Sequence, residues 1–581
     1  ITVYYVEKVP NVQIRWWHDI RRSTRCAPNR EYADVTRLGV GANGTVSLYP
    51  LSCVTGTGFG RAMGLTPSDG PRVARLGYHA ATRSLYAAFD VALIPDRVGN
   101  IKQGRGSASV QVTTFNVDPA WGFRSAALRY YALFPEAYRR RALKEGIWIP
   151  FTSPANVENV ADFGIAYHEG DDSVGYDDRM GILSFRYTEP MTWWMPMDPA
   201  LPRDYATATA ELQKHLNTGD PDHRALAQAV MNSGSHDIHG LFNVEFQNQP
   251  WTNGAVWVLN PNPAMPRPAG EHTKASLSYT PAAADERYAA PGTAGLDGEY
   301  LDSIEGWAYV LDYRRDSLRH SSVPATFATD SVKPVVPTWF SVYELTKHMS
   351  DDLHRRGKLL MANFTPWRLH VFAPLLDVMG TEVNWMPAGV WAPDADATFC
   401  LRRTLSFRKP YLLLQNTDFD RFGTTEVERY FRRCMFYAVF PSMFSVDAAT
   451  RNYWTQPQWH NRDRALFRKY IPIIAELSKA GWEPITAARS DSTVVHLERY
   501  GTRYVTVLNE SETRQTVTIS LDETVFGKSA QALTLTSLCD GGEVVAKRAG
   551  KGFKAELTLP PATADAYRIS RQPAAPQKPN E

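Results

Sequence analysis

Between residues 146 and 444, short apolar segments recur eight times, and this recurrence constrains the fold more than any other feature of the chain. The segments are 146–151, "DFGIAYHEG" (162–170), "GILSFRY" (181–187), "GEYLDSIE" (298–305), "KLLMANF" (358–364), "DVMGTEVNW" (377–385), "YLLLQNTDF" (411–419) and "FYAVFPSMF" (436–444). Each has the length and the β-branched and aromatic content of a buried strand. Helical patterns separate the later ones, as in "TWFSVYELTKHMSDDLHRRG" (338–357) and "EVERYFRRCMF" (426–436). Strands alternating with helices predict a parallel sheet, and eight such units predict a (β/α)8 barrel of the TIM type. The first three units show no clear helix between them, and a long insertion at about 203–295 precedes the fourth.

The flanks have a different texture. Up to residue 118, runs such as "GTVSLYPLSCV", "SLYAAFDVALI" and "SASVQVTTFNV" sit between Gly, Asn and Pro clusters, which predicts an N-terminal β-sandwich. A helix or helix pair over 118–146 forms the lead-in (119–145) to a barrel domain spanning 119–484. In the insertion, "FNVEFQNQPW" and "GAVWVLNPNP" predict a hairpin, followed by a Pro/Ala-rich loop at 262–292. From 485 to 570 strict two-residue alternation predicts a C-terminal antiparallel β-domain, and the tail 571–581 reads as disordered. A chain of 581 residues fits such a multidomain α/β-plus-β architecture.

Several functions are excluded or left without support. With 63 basic and 61 acidic residues the chain has no charge excess to draw it to a nucleic acid backbone. No apolar run of about 18 residues is present, so no membrane span is expected. Gly39, Gly41 and Gly44 match a dinucleotide fingerprint, but "TVSLYP" continues as a strand where that motif needs a helix. HExxH, Walker A and G-x-S-x-G motifs are absent. "HEGDDSVGYDD" (168–178) gathers oxygen ligands without the spacing of a calcium loop, so no metal and no cofactor are expected. The cysteines (26, 53, 400, 434, 539) are too scattered for a zinc site, and Cys26 and Cys53 form the pair that an oxidising compartment could join. The start at Ile1 suggests a processed N-terminus and a periplasmic or extracellular protein. Aromatic content, with 16 Trp, 27 Tyr and 25 Phe, fits an oligo- or polysaccharide partner, because aromatic faces stack on sugar rings.

Active sites of such barrels lie at the C-terminal strand ends. In "GEYLD", alternation puts Gly298, Tyr300 and Asp302 on one face and Glu299 and Leu301 on the other, so Asp302 crowns the inward face. The competing structural role for Asp302 is a helix cap, through Ser303 and Glu305. Glu305 falls near the same mouth, whereas Asp297 and Glu299 read as scaffold. Glycoside hydrolysis needs two carboxyls. The partner candidate is Glu382, which ends the sixth segment in apolar surroundings that favour a general acid; its structural role would be a buried salt bridge to Arg402 or Arg403. The remaining rim candidates are His168, Glu169, Asp171 and Asp172 after the second strand and Glu189 and Trp193 after the third. Asn363, Trp367, Arg368 and His370 follow the fifth strand, and Asn416, Asp418 and Asp420 follow the seventh. Arg368, His370, Arg402 and Arg403 hint at an anionic group on the substrate.

With "YLD" at 300–302 and "GTE" at 380–382, this architecture resembles the retaining α-glycosidases of the α-galactosidase and α-glucosidase superfamily, and the endo-α-N-acetylgalactosaminidase-like enzymes. The resemblance implies Asp302 as nucleophile and Glu382 as acid/base in a double displacement; the expected substrate is an α-linked, galactose-type or anionic glycan. It also implies an approach of about 5–5.5 Å between the two carboxyls. The chain departs from the pattern in carrying Glu at the sixth strand, where the α-galactosidases and α-glucosidases have Asp, and "LDSIEG" in place of "KxD" or "DMNE". Two alternatives are a polysaccharide lyase built on His168, Tyr300 and Arg368, and a non-catalytic carbohydrate-binding protein.

Overall fold

The computed structural model describes residues 1–94, 107–288 and 295–572. The 289–292 end of the expected Pro/Ala-rich loop and the 573–581 part of the tail lie outside the described residues.

Strands form in all eight predicted segments: β1 (Ile147–Pro150), β2 (Ile165–Glu169), β3 (Leu183–Thr188), β4 (Gly298–Leu301), β5 (Leu359–Ala362), β6 (Val378–Val383), β7 (Tyr411–Gln415) and β8 (Phe440–Met443). They make one eight-stranded sheet in chain order, the strand order of a (β/α)8 barrel. The pairings β1–β2, β3–β4, β4–β5, β5–β6 and β7–β8 are parallel, and β1 packs against β8, where Ser442 Oγ donates to the Trp148 carbonyl at 2.5 Å.

Contacts divide the chain into two compact units. The first comprises Ile1–Arg139, Ser184–Thr381 and Cys400–Leu405. It holds two antiparallel sheets near the N-terminus, one of four strands and one of five. Trp16, Val54 and Met63 from one sheet and Leu76, Leu85 and Phe89 from the other share a buried apolar cluster. The turn Gly39–Gly44 leads into the strand Thr45–Ser47, as the reading against nucleotide binding requires, and Gly41 (φ +78°) packs where a Cβ would strike Asp90. The second unit comprises Arg140–Leu183, Glu382–Phe399 and Ser406–Glu581. Its nine-stranded antiparallel sheet runs from Trp482–Glu483 to Thr563–Gln572 and buries alternate residues such as Val517, Ile519 and Leu521.

Some elements differ from expectation for identifiable reasons. The lead-in helix covers only Phe123–Leu133, because Pro135 disfavours helix in the residue before it and cannot donate an amide. A helix does separate β2 from β3, at Val174–Met180. The insertion contains the hairpin Val244–Gln249/Thr252–Val258, extended by Thr192–Pro196 into a three-stranded sheet. It also contains unforeseen helices: Tyr205–Thr218 and Pro221–Ser233, each opened by an aspartate cap (Asp204 accepts from Thr207 N at 2.8 Å and Asp220 from His223 N at 2.9 Å), and, in place of the expected Pro/Ala-rich loop, Lys274–Ser278 and Pro281–Tyr288. All five cysteines are free thiols, so Cys26 and Cys53 are not joined. Among the described residues no helix is long and apolar enough to cross a membrane.

Candidate active site

β4 ends at Leu301, and Asp302 is the first residue beyond it, half-buried. Its amide donates to the Thr188 carbonyl at 2.9 Å, which continues the β3–β4 pairing by one residue and fixes where the side chain begins. Tyr187 from β3 donates its hydroxyl to Asp302 Oδ2 at 2.9 Å. Asn363, just past β5, donates from Nδ2 to Oδ1 at 2.9 Å, and the Tyr300 hydroxyl lies 3.4 Å from the same oxygen. All three donors are neutral. Among the described residues this carboxylate has no cationic partner.

Glu299 shows what the structural alternative looks like. Alternation turns it to the opposite side of β4, fully buried, where Arg186 Nε and Arg287 Nη1 each approach to 2.7 Å and the Tyr288 hydroxyl to 3.0 Å. Burial pushes its carboxyl up, and the two guanidinium groups pull it back only in part. Asp297 accepts the Ser184 amide at 3.0 Å. Both acids are scaffold.

Glu305 is corrected from a substrate-binding role. It is fully buried, and its oxygens accept the backbone N–H groups of Trp367 (3.1 Å), Arg368 (2.8 Å) and Leu369 (3.0 Å). Burial pushes its carboxyl up to about 7 against the opposing pull of these amides and of Arg368. It thereby pins the loop after β5 to the loop after β4. On that loop Trp367 is 39% exposed, Phe364 stacks beside it at 4.5 Å, and the Arg368 guanidinium lies 4.1 Å over its ring. His370 is buried, as are Arg402 and Arg403, which removes these three from a surface anion site.

Trp193 is corrected as well. It sits in the apolar core of the insertion with Leu212, Val230 and Trp257, edge-on to His215, and not at a rim. Glu189 accepts the amides of Met191 (3.0 Å) and Thr192 (3.2 Å), and burial raises its carboxyl, with Lys274 opposing. Sequence reasoning missed Tyr187, whose signal was its register opposite Tyr300 on adjacent strands. It also missed Trp194, which packs edge-on to Trp251 at 5.5 Å and to Trp307 at 5.8 Å. Trp251 and Tyr309 are about half exposed nearby in sequence to these groups.

In the second unit, His168 is 1% exposed and its Nδ1 lies 2.7 Å from Asp177, while Glu169 is buried and accepts from Trp148 Nε1 at 2.9 Å. Both leave the rim set, and Tyr300, the other base of the lyase alternative, is likewise only 1% exposed. Asp177 serves His168, and among the described residues no cluster of acids, histidines and cysteines could hold a metal ion. Glu382 lies in β6, half-buried, and accepts from Asn416 Nδ2 past the end of β7. Asp418 accepts the Asp420 amide at 3.1 Å, and Asp420 pairs with Arg451 at 2.9 Å.

No protein-family model and no curated protein sequence matches the chain. Among solved structures it is similar to a cycloalternan-degrading enzyme from Trueperella pyogenes, with 10% identity and a TM-score of 0.48 over 99% of this chain and 81% of that one. It is also similar to a cycloisomaltooligosaccharide glucanotransferase from Paenibacillus sp. (9%, TM-score 0.40, 98% and 95% covered) and to the alpha-N-acetylgalactosaminidase NagBb from Bifidobacterium bifidum (11%, TM-score 0.39, 86% and 80%). At such identity and overlap these likenesses carry no argument, and the fold and the site stand on the chain's own strand order and residues.

Proposed function

We propose that this protein is a glycoside hydrolase that cleaves an α-linked, galactose-type or anionic glycan by retaining double displacement. The observation that carries this reading is the environment of Asp302. Glu299, kept for structure, is matched by two cations, and Glu305, kept for structure, is fully buried under three backbone N–H groups. Asp302 instead stands at a strand end, oriented by Tyr187, Asn363 and Tyr300, none of which neutralises it. A nucleophile needs that combination: fixed direction and unspent charge.

In the proposed reaction an Asp302 oxygen attacks the anomeric carbon as the glycosidic C–O bond breaks, and Glu382 delivers its proton to the leaving oxygen. Glu382 then takes a proton from water, whose oxygen displaces Asp302 and releases the sugar with its original anomeric configuration. Asn416, bonded to Glu382, orients the acid.

The test is to trap the covalent step. A slow fluorinated glycosyl donor incubated with the protein, followed by peptide mass spectrometry, should label the peptide containing Asp302, and NMR of the first-formed product should show retention. A label elsewhere, or Asp302→Asn protein that folds and turns over at the wild-type rate, would remove the assignment.

A further inference from the structure

We propose that Arg368 forms a subsite for a negatively charged substituent, a carboxylate or a sulfate ester, on the saccharide that reacts at Asp302. The inference rests on the glycosidase reading for the identity of the ligand as a saccharide. Its physical basis is independent of that reading.

Arg368 is half-buried, and its Nε is shielded from solvent without any hydrogen-bond partner among the described residues. Among the described residues no carboxylate approaches its guanidinium to ion-pair distance; Glu305 contributes only a longer-range attraction, while accepting the backbone N–H of the same residue. Burial therefore lowers the affinity of the group for its proton, with Glu305 and Tyr309 opposing. Taking an arginine partly out of water without an anionic partner is unfavourable. The fold nevertheless holds it still: Phe364 supports Trp367, Trp367 carries the guanidinium 4.1 Å above its ring, and Glu305 fixes the backbone beneath. A flat, immobilised fork with unused N–H groups matches the two oxygens of a carboxylate or sulfate.

Glu305 is three residues after Asp302, and Asn363, which holds Asp302 at 2.9 Å, is five residues before Arg368. The guanidinium and the carboxylate are thus mounted on two loops that are bonded to each other. Among the described residues the guanidinium makes no ion pair with Asp302, so its N–H groups are left for a ligand.

The test uses gluco- and galacto-configured oligosaccharides in three matched forms: neutral, uronate-bearing and 6-sulfated. Affinity is read by calorimetry on wild type, Arg368→Gln and Arg368→Lys, and cleavage is read separately as reducing-end release. Wild type should bind one charged form about tenfold to a hundredfold more tightly than its neutral counterpart, a range set by charge-assisted hydrogen bonds. Arg368→Gln should lose that advantage and keep neutral binding. Arg368→Lys should keep a smaller, more salt-sensitive part of it. The uronate and sulfate arms decide which anion is read. A melting temperature of Arg368→Gln within a few degrees of wild type verifies folding, since the only intramolecular contact described for the guanidinium that the variant loses is its stacking on Trp367. Equal affinity of wild type for charged and neutral forms, or a charged preference that survives in Arg368→Gln, overturns the subsite even if cleavage proceeds. Charged binding that depends on Arg368 without cleavage of any substrate overturns the hydrolase reading and leaves the subsite standing.

Discussion

The carboxylate of Glu305 receives the backbone N–H of Arg368 at 2.8 Å, while the guanidinium of that arginine meets no acid at ion-pair distance among the described residues. The fold uses the acid on the main chain and leaves the guanidinium stacked on Trp367. The acid's cost of burial then becomes measurable.

Glu305 holds its proton more tightly in the folded protein than in the unfolded chain, its carboxyl being raised from 4.5 to about 7. Below 4.5 both states are protonated and there is no penalty. As pH rises through this window the unfolded chain ionises first, so stability falls, by about 3 kcal/mol over the whole interval. Glu305→Gln removes this dependence. Denaturant unfolding from pH 4.5 to 7.5 should show the wild type losing ground to Glu305→Gln as pH rises.

His370 produces the opposite slope. Burial lowers its imidazole from 6.5 to about 4, so the unfolded chain takes up a proton before the folded one does. Its stabilising contribution is present above 6.5 and is lost as pH falls towards 4. His370→Leu should flatten the acid limb of a plot of melting temperature against pH.

Glu299 and Asp302 should separate stability from activity. Glu299→Ala leaves Arg186 and Arg287 without their shared acid and should cost about 3–5 kcal/mol in urea unfolding, with activity per folded molecule retained. Asp302→Asn should leave the urea midpoint near that of the wild type and reduce turnover on the order of 10⁴-fold.

Tyr187→Phe removes one donor to Asp302 and keeps the ring that lies 5.7 Å from Tyr300. A hydrogen bond to a charged group is worth about 1.5–3 kcal/mol, so kcat/KM should drop about tenfold to a hundredfold, with a melting temperature close to wild type.

Asn416→Ala tests Glu382 through its bonded neighbour. Loss should be on the order of tenfold for an alkyl leaving group, which needs the proton, and small for a nitrophenyl leaving group, which departs without one. Equal losses on both would assign Asn416 a structural role.

The eight barrel strands were legible because each is a short apolar run, and burial on both faces leaves little else for such a run to do. Tyr205–Thr218 and Pro221–Ser233 were not legible as helices: their Ala, Thr and His content gives weak amphipathic patterns, and only the Asp204 and Asp220 caps signalled them. Among the acids, alternation separated Asp302 from Glu299, but it could not reveal what each one meets. Arg186 is 113 residues from Glu299, and the amides that occupy Glu305 are 62 to 64 residues away. For Trp193 the residue type suggested a sugar platform, while the long-range packing of the insertion made it core.

Glu305 grips its loop by main-chain N–H groups, which every residue except proline supplies. The side chains at positions 367 and 368 can therefore be exchanged without dismantling their mount. A lineage carrying this scaffold could drift from one glycan decoration to another by single substitutions there, with the cleavage apparatus next door left undisturbed.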